Sequence, residues 1–347
     1  MNKFFAIVLI STLFLSVLVL GCTGQQQTVE KPQVNATTST QQNQTQQTQT
    51  PTVVTPVTAE KTFLIADTEN HRILKIDSSG KILWKYGCPS INTLGICTSG
   101  YGDNLLLKPT AATFAGDNVL IAEREHHQII EVDSSGDIVW SYGQYNSSGF
   151  GPNELWYPNY AERLSNGNTL IADGYNHRII EVTPQNEIVW TYGCSLLTSG
   201  GKCSYSELRN PRMATRLADG NTLITDSEDS RIIEVNKDGT LVWEYKTGLS
   251  IPYFAYKTSD GNIVIANTKL NKVIEVSPDG NLIWEMTGLN FPTSVIKTGS
   301  GTYLIADSYG NRVIEVNSEK NITWQYGTGK FSNAEGELAH PSTIFVS

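Results

Sequence analysis

One sequence unit recurs six times between residues 61 and 347, and this repetition limits the fold more than any other feature of the chain. The first copy reads Leu64-Ile-Ala-Asp67, His71-Arg-Ile-Leu-Lys-Ile76 and Gly80-Lys-Ile-Leu-Trp84-Lys-Tyr-Gly87. The later copies begin at Leu120, Leu170, Leu223, Val264 and Leu304. Successive starts are therefore 56, 50, 53, 41 and 40 residues apart, and periods of about 40 to 50 residues containing several short strands are typical of propeller blades.

The local pattern of each unit predicts strands. Three short runs of β-branched and aromatic residues are separated by turn pairs such as Asp-Gly, Ser-Gly and Asn-Gly, and helical periodicity is absent. A fourth run opens on proline and precedes each later unit, at Pro109, Pro158, Pro211, Pro252 and Pro292. Four antiparallel strands make one blade, which we label a to d with the proline run as strand a.

The two ends of the repeat region complement each other. The first unit starts at Lys61 directly with strand b, and residues 340–347 form a proline run with no unit after it. The sequence therefore predicts an all-β, six-bladed β-propeller over residues 61–347, closed by a C-terminal strand that completes the first blade. Such closure removes the exposed sheet edges that an open array would leave.

The N-terminal residues predict export and anchoring. Lys3 precedes an apolar run from Phe4 to Leu20, and a small residue stands before Cys22. This pattern predicts a lipoprotein signal peptide over residues 1–21 with lipidation of Cys22. A transmembrane anchor is the alternative, because a run of this length can only just span a bilayer. Residues 22–60 are rich in Thr and Gln and predict a disordered tether, so we expect the propeller at the extracytoplasmic face of the membrane.

The charge of the chain excludes one class of partner. A formal net charge of −9 at pH 7 and the lack of any basic cluster argue against nucleic-acid binding. Since one chain closes its own ring, we expect a monomer.

Two sets of recurring residues are interpreted as architectural. Tryptophan occupies one position of strand d in every unit, at Trp84, Trp140, Trp190, Trp243, Trp284 and Trp324, which favours buried packing between blades. Acid–arginine pairs recur as Asp67/Arg72, Asp173/Arg178, Asp226/Arg231 and Asp307/Arg312, with Glu123/Gln128 and Asn267/Lys272 as variants. We expect these carboxylates to accept N–H groups of the b–c turns and to pair with arginine. The alternative is a ring of acids that binds a divalent cation.

The cysteines predict cross-links in two connections. Cys88 and Cys97 follow the first unit, Cys194 and Cys203 follow the third, and each pair is separated by eight residues. In an exported chain such matched pairs predict the disulfides Cys88–Cys97 and Cys194–Cys203, with zinc thiolates as the alternative.

Binding is expected on one face of the ring. The d–a connections and b–c turns emerge on the same face, and the connections 88–108, 144–157, 194–210 and 328–340 are long. Residues flanking the strand a prolines should surround the mouth of the central channel. The predicted ligand-binding residues are Lys108, Tyr157, Asn159, Asn210, Arg212, Tyr253 and His340. An ordinary wet channel lining is the alternative.

The repeat resembles known families. Asp173-Gly-Tyr-Asn-His-Arg178 resembles the core of NHL-type propeller repeats, and Asn166-Gly-Asn-Thr-Leu-Ile171 resembles the arylsulfotransferase-like propellers. The Gly-x-Ile/Leu-x-Trp pattern is also similar to quinoprotein-type repeats. The arylsulfotransferase resemblance implies channel histidines, one of them a nucleophile that takes up sulfate. It also implies a His-Asp pair just upstream of the Gly-Asn-Thr-Leu segment.

The sequence departs from this pattern at the residues that would carry the chemistry. The positions of the His-Asp pair read Asn159-Tyr160 and Arg212-Met213. The histidines other than His340 are assigned to b–c turns of the outer repeat, at His71, His126, His127 and His177. We therefore assign no catalytic residue, no cofactor and no metal ligand. We predict a membrane-tethered binding or scaffold module for a protein, glycan or small molecule. The alternative is a diverged arylsulfotransferase-like or NHL-lyase-like enzyme that acts in the central channel around Arg212 and His340.

Overall fold

Six four-stranded antiparallel sheets make up the part of the chain that the structure, a computed structural model, describes. The described residues are 61–91, 97, 104–194, 203 and 207–347. The predicted signal peptide (1–21), Cys22 and the predicted tether (22–60) lie outside them. Within the described ranges, no helix has the length and apolar character needed to cross a bilayer.

Each sheet is one blade, and its strands follow one another along the chain. Blade 1 contains β1 (Thr62–Asp67), β2 (Arg72–Asp77) and β3 (Ile82–Gly87). Blade 2 contains β4 (Pro109–Ala115), β5 (Asn118–Glu123), β6 (Gln128–Val132) and β7 (Ile138–Tyr142). Blade 3 contains β8 (Pro158–Arg163), β9 (Thr169–Asp173), β10 (Arg178–Val182) and β11 (Ile188–Gly193). Blade 4 contains β12 (Pro211–Arg216), β13 (Thr222–Asp226), β14 (Arg231–Val235) and β15 (Leu241–Tyr245).

The last two blades and the closing strand complete the ring. Blade 5 contains β16 (Phe254–Lys257), β17 (Ile263–Asn267), β18 (Lys272–Val276) and β19 (Leu282–Met286). Blade 6 contains β20 (Pro292–Lys297), β21 (Tyr303–Asp307), β22 (Arg312–Val316) and β23 (Ile322–Tyr326), and β24 (Pro341–Val346) follows. Short 3-10 turns lie between strands b and c at Thr68–Asn70, Gly174–Asn176, Thr268–Leu270 and Ser308–Gly310.

The C-terminal strand closes the ring as predicted. β24 pairs antiparallel with β1, with Ile65 opposite Ile344, so it is strand a of blade 1. The first strands of neighbouring blades contact one another around the axis, whereas strand d lies at the rim and exposes aliphatic side chains such as Val189 and Leu282. The apolar core lies between blade faces, where for example Leu64 and Ile73 of blade 1 pack with Ile121 of blade 2.

The strand d tryptophans join each blade to the next. For five of the six, the indole N–H group donates to a backbone carbonyl in the c–d turn of the following blade. The bonds run from Trp140 to Pro184 (3.2 Å), Trp190 to Lys237 (2.9 Å), Trp243 to Pro278 (2.8 Å), Trp284 to Ser318 (2.9 Å) and Trp324 to Ser78 (2.9 Å). Packing between blades is therefore confirmed. The rings are half-buried rather than buried as expected, because strand d is the outermost strand.

Ion pairs add a second contact between blades. A glutamate of strand c pairs with a cation of the following blade. The pairs are Glu131–Arg163, Glu181–Arg216 (2.7 Å), Glu234–Lys257 (2.7 Å), Glu275–Lys297 (2.8 Å) and Glu315–Lys61 (2.9 Å). Between blades 1 and 2, Lys75 instead lies 5.8 Å from the centroid of the Phe114 ring.

The four acid–arginine pairs form as predicted, each inside one blade, but the backbone N–H group that the aspartate accepts is not the predicted one. Arginine Nε–H donates to aspartate Oδ2 in Asp67/Arg72 (2.7 Å), Asp173/Arg178 (2.8 Å), Asp226/Arg231 (2.7 Å) and Asp307/Arg312 (2.8 Å). The other oxygen accepts a backbone N–H from the connection before strand a, such as Trp156 N–H on Asp173 (2.8 Å). The b–c turn is not the donor, because its N–H groups bond to other carbonyls, as from His177 to Gly174 (3.0 Å) inside the turn and from Tyr175 to Trp156 (3.0 Å) in that connection.

A third contact between blades lies at the channel mouth and occurs in all six blades. The last residue of each b–c turn has a left-handed backbone, and its side chain accepts the N–H of the residue before the next strand a proline. The bonds are Lys108 to His71 (3.0 Å), Tyr157 to His127 (3.2 Å), Asn210 to His177 (3.0 Å), Ile251 to Ser230 (3.1 Å), Phe291 to Asn271 (2.9 Å) and His340 to Asn311 (3.1 Å). The b–c turns that contain His71, His127 and His177 therefore lie at the channel mouth. The prediction that these histidines belong to the outer part of the repeat was wrong.

These histidines predict a pH dependence of stability. Burial lowers the pKa of His71, His127 and His177 below 6.5, and each accepts an N–H only when its Nδ1 carries no proton. Because the unfolded chain binds these protons more readily, their contribution is complete above about pH 6.5 and is lost as pH falls. The variant with His71→Asn, His127→Asn and His177→Asn, which copies blade 6, should show a smaller loss of unfolding free energy between about pH 7.5 and pH 5. Equal losses in both proteins by urea unfolding would contradict this assignment.

The ion pairs predict a graded effect on stability. Glu275 is fully buried and binds Lys297 and the Tyr303 hydroxyl. Glu275→Gln leaves Lys297 without a carboxylate and should lower the unfolding free energy by about 3 kcal/mol or more. In the matched pair Lys61 is 44 % exposed, so Glu315→Gln should cost less than about 1 kcal/mol. Similar losses in both variants, measured by guanidinium unfolding, would refute the role of burial.

Candidate functional site

A cavity of about 350 Å³ lies at the mouth of the channel. Its walls come from b–c turns, from residues before the strand a prolines and from the first residues of strand a. The lining consists of Thr68, Glu69, Lys108, Thr110, Arg124, Glu125, Asn159, Tyr160, Arg212, Tyr253, Phe254, Phe291, Thr293, Ser308, Tyr309, His340, Ser342 and Thr343.

Three aromatic rings from alternate blades meet at the axis below the mouth. The centroids of Tyr160, Phe254 and Phe345 are 6.0 to 6.3 Å apart, and each ring contacts the other two. Tyr160 and Phe254 are almost completely buried and also line the cavity. The cavity is therefore a cup with an apolar floor, and we call it the cup below.

Five of the seven predicted ligand-binding residues line the cup: Lys108, Asn159, Arg212, Tyr253 and His340. Tyr157 and Asn210 do not line it. Tyr157 packs its ring under the Arg124 guanidinium at 4.5 Å. Asn210 is buried and supports its neighbour by accepting the Asn159 amide N–H at 3.1 Å.

Arg212 is the principal charge in the cup. Its guanidinium lies 4.2 Å from the Tyr253 ring centroid, and its Nη1–H donates to Asn159 Oδ1 at 3.3 Å. Burial lowers the pKa of this guanidinium from its ordinary value, although an arginine stays charged in proteins. Its Nε–H is buried and has no hydrogen-bond partner among the described residues.

The other cations of the lining already have carboxylate partners. Lys108 Nζ lies 3.1 Å from Glu69, and Arg124 Nη1 lies 2.5 Å from Glu125. Arg124 also has a buried Nε–H without a partner. Among the described residues of the cup, Arg212 is thus the one cation with no carboxylate beside it.

Comparison of equivalent positions in the six blades shows why the side chains of Arg212 and Tyr253 are free to line the cup. The side chain that follows the strand a proline donates to the next proline carbonyl in four blades. These bonds are Thr110 to Pro158 (3.4 Å), Asn159 to Pro211 (2.9 Å), Thr293 to Pro341 (3.2 Å) and Ser342 to Pro109 (3.4 Å). Arg212 and Tyr253 occupy the same position in blades 4 and 5 but stack on each other instead. Among these six equivalent residues of the described structure, Arg212 and Tyr253 are the two whose side chains do not bond to the proline carbonyl of the next blade.

An aromatic wall continues from Tyr253 around the mouth. Ring centroids are separated by 5.4 Å from Tyr253 to Phe291, 4.5 Å from Phe291 to Tyr309 and 4.5 Å from Tyr309 to His340. His340 also contacts the exposed ring of Phe331 at 5.1 Å. Burial lowers the pKa of His340 below 6.5, so this imidazole is neutral at pH 7.

Sequence reasoning missed six residues that the b–c turns bring to the cup: Thr68, Glu69, Arg124, Glu125, Ser308 and Tyr309. They occupy the two positions that follow the last residue of strand b. These two positions vary between units and read Thr68-Glu69, Arg124-Glu125, Gly174-Tyr175, Ser227-Glu228, Thr268-Lys269 and Ser308-Tyr309, whereas the apolar residues of strands b and c on either side recur. Variation between constant strands indicates positions that the architecture leaves free.

The two predicted disulfides are present. Cys88 bonds Cys97 with Cα atoms 5.2 Å apart, and Cys194 bonds Cys203 with Cα atoms 5.9 Å apart. Most of the intervening residues lie outside the described ranges. In the part of the chain that can be described, no three His, Cys, Asp or Glu side chains lie together as metal ligands would.

Comparison with known proteins extends the description of the repeat. Residues 161–320 match the family model for outer membrane protein assembly factor BamB, so this part of the chain carries a BamB-like repeat. No curated protein matches the chain. The resemblance to NHL-type and arylsulfotransferase-like repeats stays a prediction.

Solved structures with the same architecture are distant in sequence. A protein of unknown function from Bacteroides caccae is 16% identical with a TM-score of 0.60, covering 83% of this chain and 99% of its own. A chain of the nidogen/laminin complex is 13% identical with a TM-score of 0.56, covering 82% of this chain and 98% of its own. A virginiamycin B lyase from Staphylococcus aureus is 17% identical with a TM-score of 0.49, covering 77% and 85%. At these identities, the first two similarities establish the fold and nothing about function.

The floor of the cup predicts a stability effect. Phe254 is 2% exposed and contacts both other floor rings, so Phe254→Ala should lower the unfolding free energy by about 3 to 5 kcal/mol. The exposed Phe331 provides the control, and Phe331→Ala should change it by less than about 0.5 kcal/mol. Chemical unfolding of both variants measures the difference, and a mild effect of Phe254→Ala would argue against a packed floor.

Proposed function

We propose that this chain is a binding module at the extracytoplasmic face of the membrane, held there by lipidated Cys22 and the tether 22–60, and that it captures an anionic ligand in the cup. One observation carries the proposal. Arg212 is a half-buried cation that lines the cup, it has no carboxylate partner among the described residues, and its Nε–H is unsatisfied. Because a partly desolvated charge without a counter-charge is unfavourable, a ligand that supplies the counter-charge binds favourably there.

The surroundings of the cup support binding by a preformed site. Arg72 donates to the carbonyls of Asn333 (3.0 Å) and Glu337 (2.9 Å), which ties the connection 328–340 to blade 1. Arg178 ties the connection 144–157 to blade 3 through Phe150 (2.9 Å) and Glu154 (3.1 Å). A site that is ordered before the ligand arrives loses less conformational entropy on binding.

Export is supported by the cross-links. Disulfides persist in oxidising compartments outside the cytoplasm, and both cysteine pairs of the propeller are bonded. This agrees with the signal peptide proposed for residues 1–21.

The imidazole of His340 suits packing better than catalysis. Its ring lies between Tyr309 and Phe331, and the backbone N–H of the same residue holds Asn311. A nucleophile or general base instead needs a partner that orients its proton. A binding role is therefore preferred to the diverged enzyme.

The test compares the full-length protein with Arg212→Gln. Arg209→Gln is the matched control, because Arg209 has a side chain that is 63% exposed and does not line the cup. Without ligand, Arg212→Gln should unfold at the same or a higher temperature, because it removes a half-buried charge that has no carboxylate partner. In melts at constant ionic strength with formate, acetate, nitrate or sulfate, at least one anion should raise the Tm of wild type and Arg209→Gln but not of Arg212→Gln. Equal anion responses in all three proteins would refute the proposal.

A further inference from the structure

We propose that the anion recognised by Arg212 is the carboxylate of a small molecule with an apolar body, which enters the cup carboxylate first. This inference rests on the proposed function and specifies the ligand class of the same site. Three independent properties of the cup lead to it: the unsatisfied face of the guanidinium, the charge balance of the lining and the apolar floor and wall.

The first property is a pattern inside the molecule itself. Arg72, Arg178, Arg231 and Arg312 each donate Nε–H to a carboxylate oxygen at 2.7 or 2.8 Å. Arg212 has the same group buried and unpaired. A carboxylate can accept two N–H groups from one side of a guanidinium, a geometry with high specificity. The other four arginines each have a carboxylate on Nε–H, and a carboxylate is therefore the partner that we expect at Arg212.

The guanidinium is also fixed in orientation. Tyr253 covers one face at 4.2 Å, and Asn159 accepts Nη1–H at 3.3 Å. Asn159 is held in turn by its bond to the Pro211 carbonyl at 2.9 Å. Stacking and hydrogen bonding together fix the group, and its Nε–H is the donor that stays without a partner among the described residues.

The charge of the lining favours a single negative charge. Lys108 and Arg124 are neutralised by Glu69 and Glu125 at 3.1 and 2.5 Å, which leaves one positive charge at Arg212. A monoanion balances it. A dianion would place excess negative charge in a cavity that Glu69 and Glu125 also line, at an electrostatic cost.

The shape and polarity of the cup define the rest of the ligand. Tyr160, Phe254 and Phe345 close the floor, and Phe291 and Tyr309 continue the aromatic wall. A polymer cannot thread through such a floor, so the ligand ends inside the cup. The volume of about 350 Å³ is at the small end of ligand pockets, and apolar walls favour an apolar body next to the carboxylate.

Calorimetric titration of the full-length protein with phenylacetate tests this inference. The comparison ligands are phenylacetamide, which has no charge, phenylmethanesulfonate, which has a different anionic geometry, acetate, which has no apolar body, and inorganic sulfate. Phenylacetate should bind about tenfold or more tightly than each of them. Arg212→Gln should weaken phenylacetate binding by about tenfold or more, and Arg209→Gln should not.

Arg212→Lys separates geometry from charge. It keeps the positive charge but lacks the Nε–H side of a guanidinium, so it should lose the preference for phenylacetate over phenylmethanesulfonate. Binding of the sulfonate or of sulfate as tight as that of phenylacetate, and dependent on Arg212, would overturn the carboxylate inference while leaving the proposed function intact. Phenylacetate binding that is absent or unaffected by Arg212→Gln would overturn the inference as well. The anion-dependent melts of Arg212→Gln then decide separately whether the proposed function stands.

Discussion

The hydrogen bond between each b–c turn and the residue before the next strand a proline is the contact on which the site depends. It needs two left-handed residues facing each other, such as His177 and Asn210. A non-glycine residue in this conformation is uncommon, and one before proline is disfavoured further. All six contacts between blades nevertheless adopt it. Each one ties the residue before a strand a proline to the b–c turn of the preceding blade, and these residues and turns together form much of the wall of the cup.

The fold could be predicted from the sequence because the same pattern of strands occurs six times. A single occurrence of Leu-Ile-Ala-Asp followed by His-Arg would indicate one hairpin, but six occurrences with a missing strand at one end and a spare strand at the other indicate a closed ring. The pairing of β24 with β1 and the two disulfides agree with that reading. The tryptophans show its limit. Their position in strand d follows from the sequence, but their partial exposure depends on how far the next blade covers each ring, which a strand pattern does not contain.

The site could be predicted only where it coincides with the repeat. Lys108, Arg212 and His340 flank prolines, and the prolines marked the mouth. Tyr157 and Asn210 flank prolines as well, yet their side chains turn to Arg124 and Asn159 rather than into the cup. Side-chain direction at a left-handed residue depends on tertiary neighbours, which a strand pattern does not contain. The sequence places the turns of Glu69 and Arg124 on the binding face but does not show that these side chains line the cup, because their direction also depends on neighbouring blades.

The closing strand links completion of the chain to the appearance of the site. His340, Ser342 and Thr343 lie within the last eight residues and form part of the cup wall, and Phe345 supplies one third of its floor. Before β24 pairs with β1, therefore, blades 2 to 6 can form while the cup still has a gap on one side and an open base. Removal of β24 by a protease would take away strand a of blade 1 together with part of the wall and floor of the cup.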